Sequence, residues 1–372
     1  MIAATRPVQR PPHAKLLVVD TQGRIHHAPR SALLGFLRPG DLVIANDAST
    51  LPASLQGMHA RTGLTVEIRL AGRQSLLPQD FGRFTVVVFG AGDFRTRTEQ
   101  RPLPPPLAPG DHFSFSSMTA EIERLLDHPR LALLRFDGDP DQVWAGLARH
   151  GKPIQYAHVP TPLKLWDVWT PIAGVPAAFE SPSAGFALDW QLLKAMQIND
   201  IEFATITHAA GISSTGDEQL DRRLPFDEPY RISAATAEAI ARTRNRGSRI
   251  VAVGTTVVRA LEHAASLHGE VRAGDGIATQ RIGAATRLRV VDAVLSGTHE
   301  VDTSHYQLLR AFTDDTTLRK ANAELEAHAY LTHEFGDSVL IERGLSRHGN
   351  SRSGKQVLSC MHPTTDELLE AC

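Results

Sequence analysis

The sequence predicts an α/β protein, a layered or barrel-like α/β domain interrupted by a small β-rich insert. From Pro140 onward single apolar strands alternate with stretches of helical period, the rhythm of a largely parallel sheet covered by helices. Between Pro52 and Phe136 the texture changes to several short β-prone runs without a convincing helix, which suggests a small β-barrel or sandwich. The third observation is the stretch Arg249 to Glu262, which reads as strand, sharp turn and helix. Ile250 to Val253 form a continuous apolar run and Gly254 permits the turn. Val257, Val258, Leu261, Ala264 and Ala265 then recur at helical spacing.

Taken in order, residues 1 to 13 are rich in proline and loose, and Lys15 to Asp20 begin the first strand. Ser31 is placed to cap a short helix through Leu37; Pro39-Gly40 turns the chain into a second buried strand, Asp41 to Ala45, which ends at Asn46-Asp47. In the insert, Leu64 to Leu70, Phe84 to Phe89, His112 to Phe115 and Leu131 to Phe136 are strands. Val86 to Asp93 imitates the start of a dinucleotide-binding fold. Arg95 stands where the third glycine belongs, and no crossover helix can follow in Thr96 to Pro106, so this segment reads as a hairpin turn. Beyond the insert, Asp141 to His150 and Trp190 to Met196 are helices, and Ile201 to Thr207 is a strand. Ser233 caps a helix running to Arg246, which Gly247 ends. After the Ile250 strand come a strand from Leu288 to Leu295, helices at Ser304 to Phe312 and Leu318 to Ala329, and a closing strand, Ser338 to Glu342. The tail after Gly344 is polar and reads as disordered.

Composition excludes several classes. A chain of 372 residues with 42% hydrophobic and 22% charged residues can bury a sizeable core and forms two domains. Lysine and arginine number 39 against 41 acidic residues, so no global positive field recruits nucleic acid. No apolar run approaches membrane-spanning length and the start has no signal-peptide core, which places the protein in the cytoplasm. Only Cys360 and Cys372 are present, so no disulfide framework is expected. His299 and His305 lie six apart, and His328 and His333 five apart; neither spacing gives a one-face helical ligand pair, so no metal is expected.

The turn at Gly254-Thr255-Thr256 offers free N–H groups at the carboxyl end of a buried strand, with Thr256 able to cap the helix. Ligands of open α/β sheets gather at such places, although an ordinary strand-to-helix turn looks the same. Arg259, one turn into the helix, can bind a carboxylate or pair with Glu262.

The same segment, with Val258-Arg259 and Leu261-Glu262, resembles the signature of the S-adenosylmethionine:tRNA ribosyltransferase-isomerase family of the queuosine pathway. Further matches fall in order at strand ends. Asn46 with Pro52-Ala53 matches the segment after the second strand, and Pro182, Ala184 and Gly185 match a Pro-Thr-Ala-Gly motif in which Ser183 replaces threonine. His208, with one extra residue allowed, falls on the histidine of a Leu-His motif, with Gly211 in the loop behind it. Glu228 matches the glutamate of a His-Ser-Glu segment, His299 the histidine of Asn-Phe-His-Leu-Pro, and Gly336-Asp337 the last motif.

The resemblance implies an α/β catalytic domain with an inserted β-barrel, which with the change of texture along the chain gives residues 14–50 and 138–344 for the first and 51–137 for the second, leaving 345–372 as the tail. It implies that S-adenosyl-L-methionine is a substrate that gives up its ribosyl group, with tRNA as acceptor and no metal. A base near the sulfonium, an acid for departing adenine and donors for oxyanions are then required. Glu228, His299 and His208 are the catalytic candidates. Gly254, Thr255, Thr256, Arg259, Asn46, Ser183 and Gly185 are the candidates for binding the sulfonium substrate.

This chain also departs from the family. Val168 to Ile172 replace Tyr-Gln-Thr-Val-Tyr, Phe186-Ala187-Leu188 replace Leu-His-Phe, and Asp47-Ala48-Ser49 replace Asn-Thr-Arg. Phe226-Asp227 stand before Glu228 and Val301 stands in place of proline. With Ser49 for arginine and a near-neutral chain, tRNA is possible but disfavoured. Two alternatives follow: a diverged paralogue that processes S-adenosylmethionine with a small-molecule acceptor or none, and an inactive relative that binds nucleoside or RNA.

Overall fold

The computed structural model describes residues 2–301 and 303–344. The expected disordered tail and both cysteines lie outside the described residues. A nine-stranded sheet runs in the order Gly274–Ala278, Glu228–Ile232, Glu202–His208, Leu42–Asn46, Ile250–Val253, Ala293–Gly297, Ser338–Glu342, Lys15–Val19, Ile25–Pro29. Its three central contacts and the Ser338–Glu342 contact with Lys15–Val19 are parallel, and the other four are antiparallel. The sheet is therefore mixed, not largely parallel, because both flanks are extended by strands that double back.

Alternation of side chains across the sheet makes the domain layered, not barrel-like. Leu42, Ile44, Ile250, Ala252 and Val294 face one hydrophobic cluster with the helices Ala234–Asn245, Thr255–His268 and Asp315–Ala327. Val43, Ala45, Val251, Val253 and Leu295 face a second cluster on the other side, with Met196 of Trp190–Ile198 and Leu33. The central strands are buried on both faces and so read as continuous apolar runs, which is why they were legible.

The insert closes into a six-stranded barrel in the order Met118–Leu125, Leu131–Phe136, Arg83–Phe89, Leu64–Gly72, Ser54–His59, His112–Phe115. Every neighbouring pair is antiparallel. Val86 to Asp93 is not a hairpin turn. The segment after Phe89 crosses to His112–Phe115, which pairs with other strands, and Arg101 covers Gly92 on the way. The barrel core continues beyond the insert into Phe179, Ala209, Ala210 and Ile212; Phe84 meets Phe179 edge-on at 6.0 Å.

Three local expectations are corrected. Ser31 caps nothing: Arg30–Phe36 is a 3-10 helix entered from Pro29 without a side-chain cap. Thr256 lies inside its helix, whose N-cap is Gly254. The strand expected from Leu288 begins only at Ala293, because the Glu262 carboxylate accepts the N–H groups of Arg289, Val290 and Val291 at 2.7, 2.9 and 2.9 Å. With its donors satisfied by a side chain, that run needs no neighbouring strand. It also means that Glu262 does not pair with Arg259.

Candidate active site

The Ile250–Val253 and Ala293–Gly297 strands are parallel, so the segments leaving them, Gly254–Thr256 and Thr298–His299, emerge at the same end of the sheet. Between these segments and the Ser181–Ala184 and Ala210–Ser213 loops lies a cavity of about 380 Å³. Gly254, Thr255, Thr256, Arg259, Ser183, Glu228 and His299 line it. Gly254 adopts φ +98°, a region that side chains with a Cβ avoid, and this turns the chain sharply from strand into helix. Ala184 Cβ lies 3.6 Å from where a Gly254 Cβ would stand.

His208, Asn46 and Gly185 stand behind the wall. Asn46 Oδ1 accepts the N–H groups of His208 and Ala48 at 2.9 and 3.0 Å, and its Nδ2 donates to the His208 carbonyl at 2.9 Å. That clamp ties two neighbouring strand ends together. The Thr256 carbonyl only accepts, so at 2.7 Å it keeps a hydrogen on His208 Nδ1, while Nε2 lies 3.0 Å from Glu228 Oε2. Gly185 is a packing residue: a Cβ there would sit 2.9 Å from Thr170 Cγ2.

Glu228 and Arg259 form a buried ion pair. Glu228 Oε1 also accepts the Gly211 N–H at 2.6 Å, and Arg259 donates to the carbonyls of Phe226, Ala278 and Gln280 at 3.1, 2.8 and 3.4 Å. Burial pulls the Glu228 carboxyl upward, but Arg259, His208 and the Gly211 N–H outweigh it and hold it down at about 2.

His299 has the opposite environment. Its ring stacks on His305 at 4.3 Å with an 11° interplanar angle. Burial first, then the neighbouring His305 and His333, hold it well below the ordinary histidine value, so it is neutral at pH 7. His305, another cavity residue, is lowered chiefly by burial. A third kind of group is Glu180, which lines the same cavity and takes a hydrogen bond from the Tyr156 hydroxyl. Burial raises its carboxyl above the usual range against the pull of Tyr156 and Ser213.

Glu180 and His305 were not among the candidates. Neither carries a local signal: Glu180 sits in a loop with no periodicity, and His305 was considered only for metal spacing. Among the described residues, two groups bring three metal-ligand atoms within 4.8 Å of one another: His27, Glu324 and His328, and His158, His333 and Glu334. In the second group the imidazoles of His158 and His333 stack at 4.2 Å and 19°, and His158 Nε2 lies 3.1 Å from Glu334 Oε2.

Residues 1–341 match the family model described as queuosine biosynthesis protein. The S-adenosylmethionine:tRNA ribosyltransferase-isomerase of Sorangium cellulosum (strain So ce56) is 32% identical over 366 residues, covering 91% of this chain and 95% of that protein. The Pelobacter propionicus enzyme of the same name is 30% identical over 350 residues, covering 92% and 96%. A crystal structure of S-adenosylmethionine tRNA ribosyltransferase from Thermotoga maritima aligns with a TM-score of 0.48 at 22% identity, covering 91% of this chain and 96% of that one. With a family match through residue 341 and relatives aligned over nine-tenths of both lengths, the chain belongs to the queuosine biosynthesis protein family.

Proposed function

We propose that the protein is a cytoplasmic S-adenosylmethionine:tRNA ribosyltransferase-isomerase that moves the ribosyl group of S-adenosyl-L-methionine onto a deazaguanine base in tRNA. The observation that carries this is identity of about 30% to enzymes of that name along nearly the whole chain. The expectation that tRNA is disfavoured has no support from these relatives, which are named for tRNA. A near-neutral total also hides local charge: Arg73, Arg223 and Arg281 line a second cavity that shares Pro225 and Arg281 with the first. Neither a small-molecule acceptor nor an inactive relative is favoured by any comparison.

In the chemistry that this function requires, the sulfonium acidifies the neighbouring ribose carbon and a base takes its proton. Ring opening and adenine departure follow, the amine of the tRNA base attacks the sugar, and epoxide closure expels methionine. The sulfonium supplies the activation, so the path needs no metal. We assign proton acceptance to His299, which is neutral at pH 7 and borders the cavity. Glu228 and Arg259 are engaged with each other, so neither is free to take the proton. Their part is to hold the wall to which Gly211 and, through His208, Thr256 are attached. Gly254, Thr255 and Thr256 offer the helix N-terminus to the polar ends of the substrate.

The test is incubation of the purified protein with S-adenosylmethionine and tRNA bearing the deazaguanine base. The expected result is a gain of the ribosyl-derived mass on tRNA, with adenine and methionine released in equal amounts. Adenine or methylthioadenosine formed at the same rate without tRNA would move the protein to the small-molecule alternative.

A further inference from the structure

The cavity has an uneven charge account. Of its acidic groups, Glu228 is paired with Arg259, and Asp221 accepts from Thr215 N, Thr215 Oγ1 and Ser214 Oγ at 2.6, 2.6 and 3.2 Å. Of its cations, Arg222 pairs with Glu218, and Arg281 donates to the Arg222 and Arg223 carbonyls. His299 and His305 stack on each other. Glu180 has no ion-pair partner among the described residues: unlike Glu228, it lines the cavity with its carboxyl free of an arginine. Its neighbours are the Tyr156 hydroxyl and Ser213, with Glu334 adding negative charge nearby. Behind Tyr156 lie His158, with its ring stacked on that of Tyr156 at 6.2 Å, and Arg69, centred 5.4 Å from the same ring. Arg69 is already bonded to Glu67 at 2.8 Å.

We propose that Glu180 is the counter-charge for the cationic part of the substrate, receiving the sulfonium or the α-ammonium of S-adenosylmethionine against the Tyr156-Ser213 face of the cavity. This rests on the reading of S-adenosylmethionine as substrate and adds which group recognises its positive charge. A carboxyl that is reluctant to ionise in the empty cavity gains a partner when a cation enters, so ligand binding and ionisation of Glu180 reinforce each other. Tyr156 keeps the carboxyl turned to the cavity and lowers the cost of its charged form. Where the sulfonium is the partner, the consequence is discrimination by charge: the sulfonium of S-adenosylmethionine is cationic, and the thioether of S-adenosylhomocysteine is not.

The experiment is titration calorimetry of wild type, Glu180→Gln and Tyr156→Phe with S-adenosylmethionine and with S-adenosylhomocysteine, from roughly pH 5 to pH 8. Removing the charge should weaken S-adenosylmethionine by roughly ten- to a hundredfold at pH 7, the usual worth of a charge-assisted contact. Loss confined to S-adenosylmethionine identifies the sulfonium as the partner, and equal loss on both ligands identifies the ammonium. The gap between wild type and Glu180→Gln should narrow as pH falls, because the protonated carboxyl is then as neutral as the amide. Titration of His299 and His305 affects both proteins alike and cancels. In Tyr156→Phe, loss of the phenol donor should move wild-type-like binding to higher pH, which keeps the proposal testable should Glu180→Gln fold poorly. Binding of both ligands by Glu180→Gln within about twofold of wild type at every pH, or a Tyr156→Phe profile that superimposes on wild type, overturns the proposal. If wild type modifies tRNA while these variants bind normally, only the role of Glu180 falls. If wild type binds neither ligand, the proposed function falls with it.

Discussion

Replacing Glu228 by glutamine removes one charge from a pair whose side chains are 6% and 4% exposed. The amide still accepts from Gly211, but it leaves Arg259 buried without a counter-ion and turns an N–H₂ toward the two donors. Two routes give the size of the loss. Removing one partner of a buried pair costs about 3–5 kcal/mol. The carboxyl lies at about 2 against an ordinary 4.5, which corresponds to about 3 kcal/mol by linkage. The sign follows from the depressed value: this stabilisation is fully present above about 4.5 and disappears as pH falls through about 2. Scanning calorimetry should therefore show Glu228→Gln melting roughly 4–6 °C below wild type at pH 7. The gap should close as acid protonates the wild-type carboxylate. A variant that melts with wild type at pH 7, or a gap undiminished at pH 3, refutes the account of Glu228 as an ionised clamp.

Other variants test other parts of the site. Gly254→Ala has room for its Cβ but keeps a φ of +98°, so it should cost about 1–3 kcal/mol through backbone strain; urea titration would read this, and loss of S-adenosylmethionine binding beyond the stability change would show that the turn contacts ligand. His299→Ala should lower single-turnover tRNA modification by about a hundred- to ten-thousandfold with an unchanged melt. The wild-type rate should fall on acidification only below the ordinary histidine value, because His299 must be neutral to accept a proton. Glu262→Ala should expose three unmatched N–H groups and cost about 3 kcal/mol or more, with faster hydrogen exchange at Arg289, Val290 and Val291 as its local signature.

The legible parts of the molecule were those whose local pattern also decided their tertiary fate. Ile250 to Val253 are buried on both faces, and Gly254 has the positive φ that its residue type permits; the run and the break mark the strand and the turn. The Ser54–His59 and Met118–Leu125 strands were missed because barrel strands show the core only every second residue, and polar Gln56, Glu121 and Glu123 interrupt the apolar signal. Leu288 to Val291 look like a strand but are held by a carboxylate from a helix, a partner that periodicity cannot reveal. In the site, Glu228 and Arg259 carried motif signals that marked their positions, whereas their mutual engagement is a matter of three dimensions. Glu180 had no signal, because its distinction is the cation that it lacks.

The loops that bound the cavity have two faces. Phe179, Ala209, Ala210 and Ile212 are part of the barrel's hydrophobic cluster, and Ala210 and Ile212 border the cavity together with Glu180, Gly211 and Ser213. The floor on the other side, Gly254 to Thr256, belongs to the helix that packs on the sheet. The cavity is therefore a seam, and a molecule seated in it becomes a third packing partner that helps press barrel and sheet together. By linkage, the factor by which a ligand strengthens that docking is the factor by which docking strengthens the ligand, so a cavity-creating change such as Phe84→Leu becomes a lever on substrate affinity.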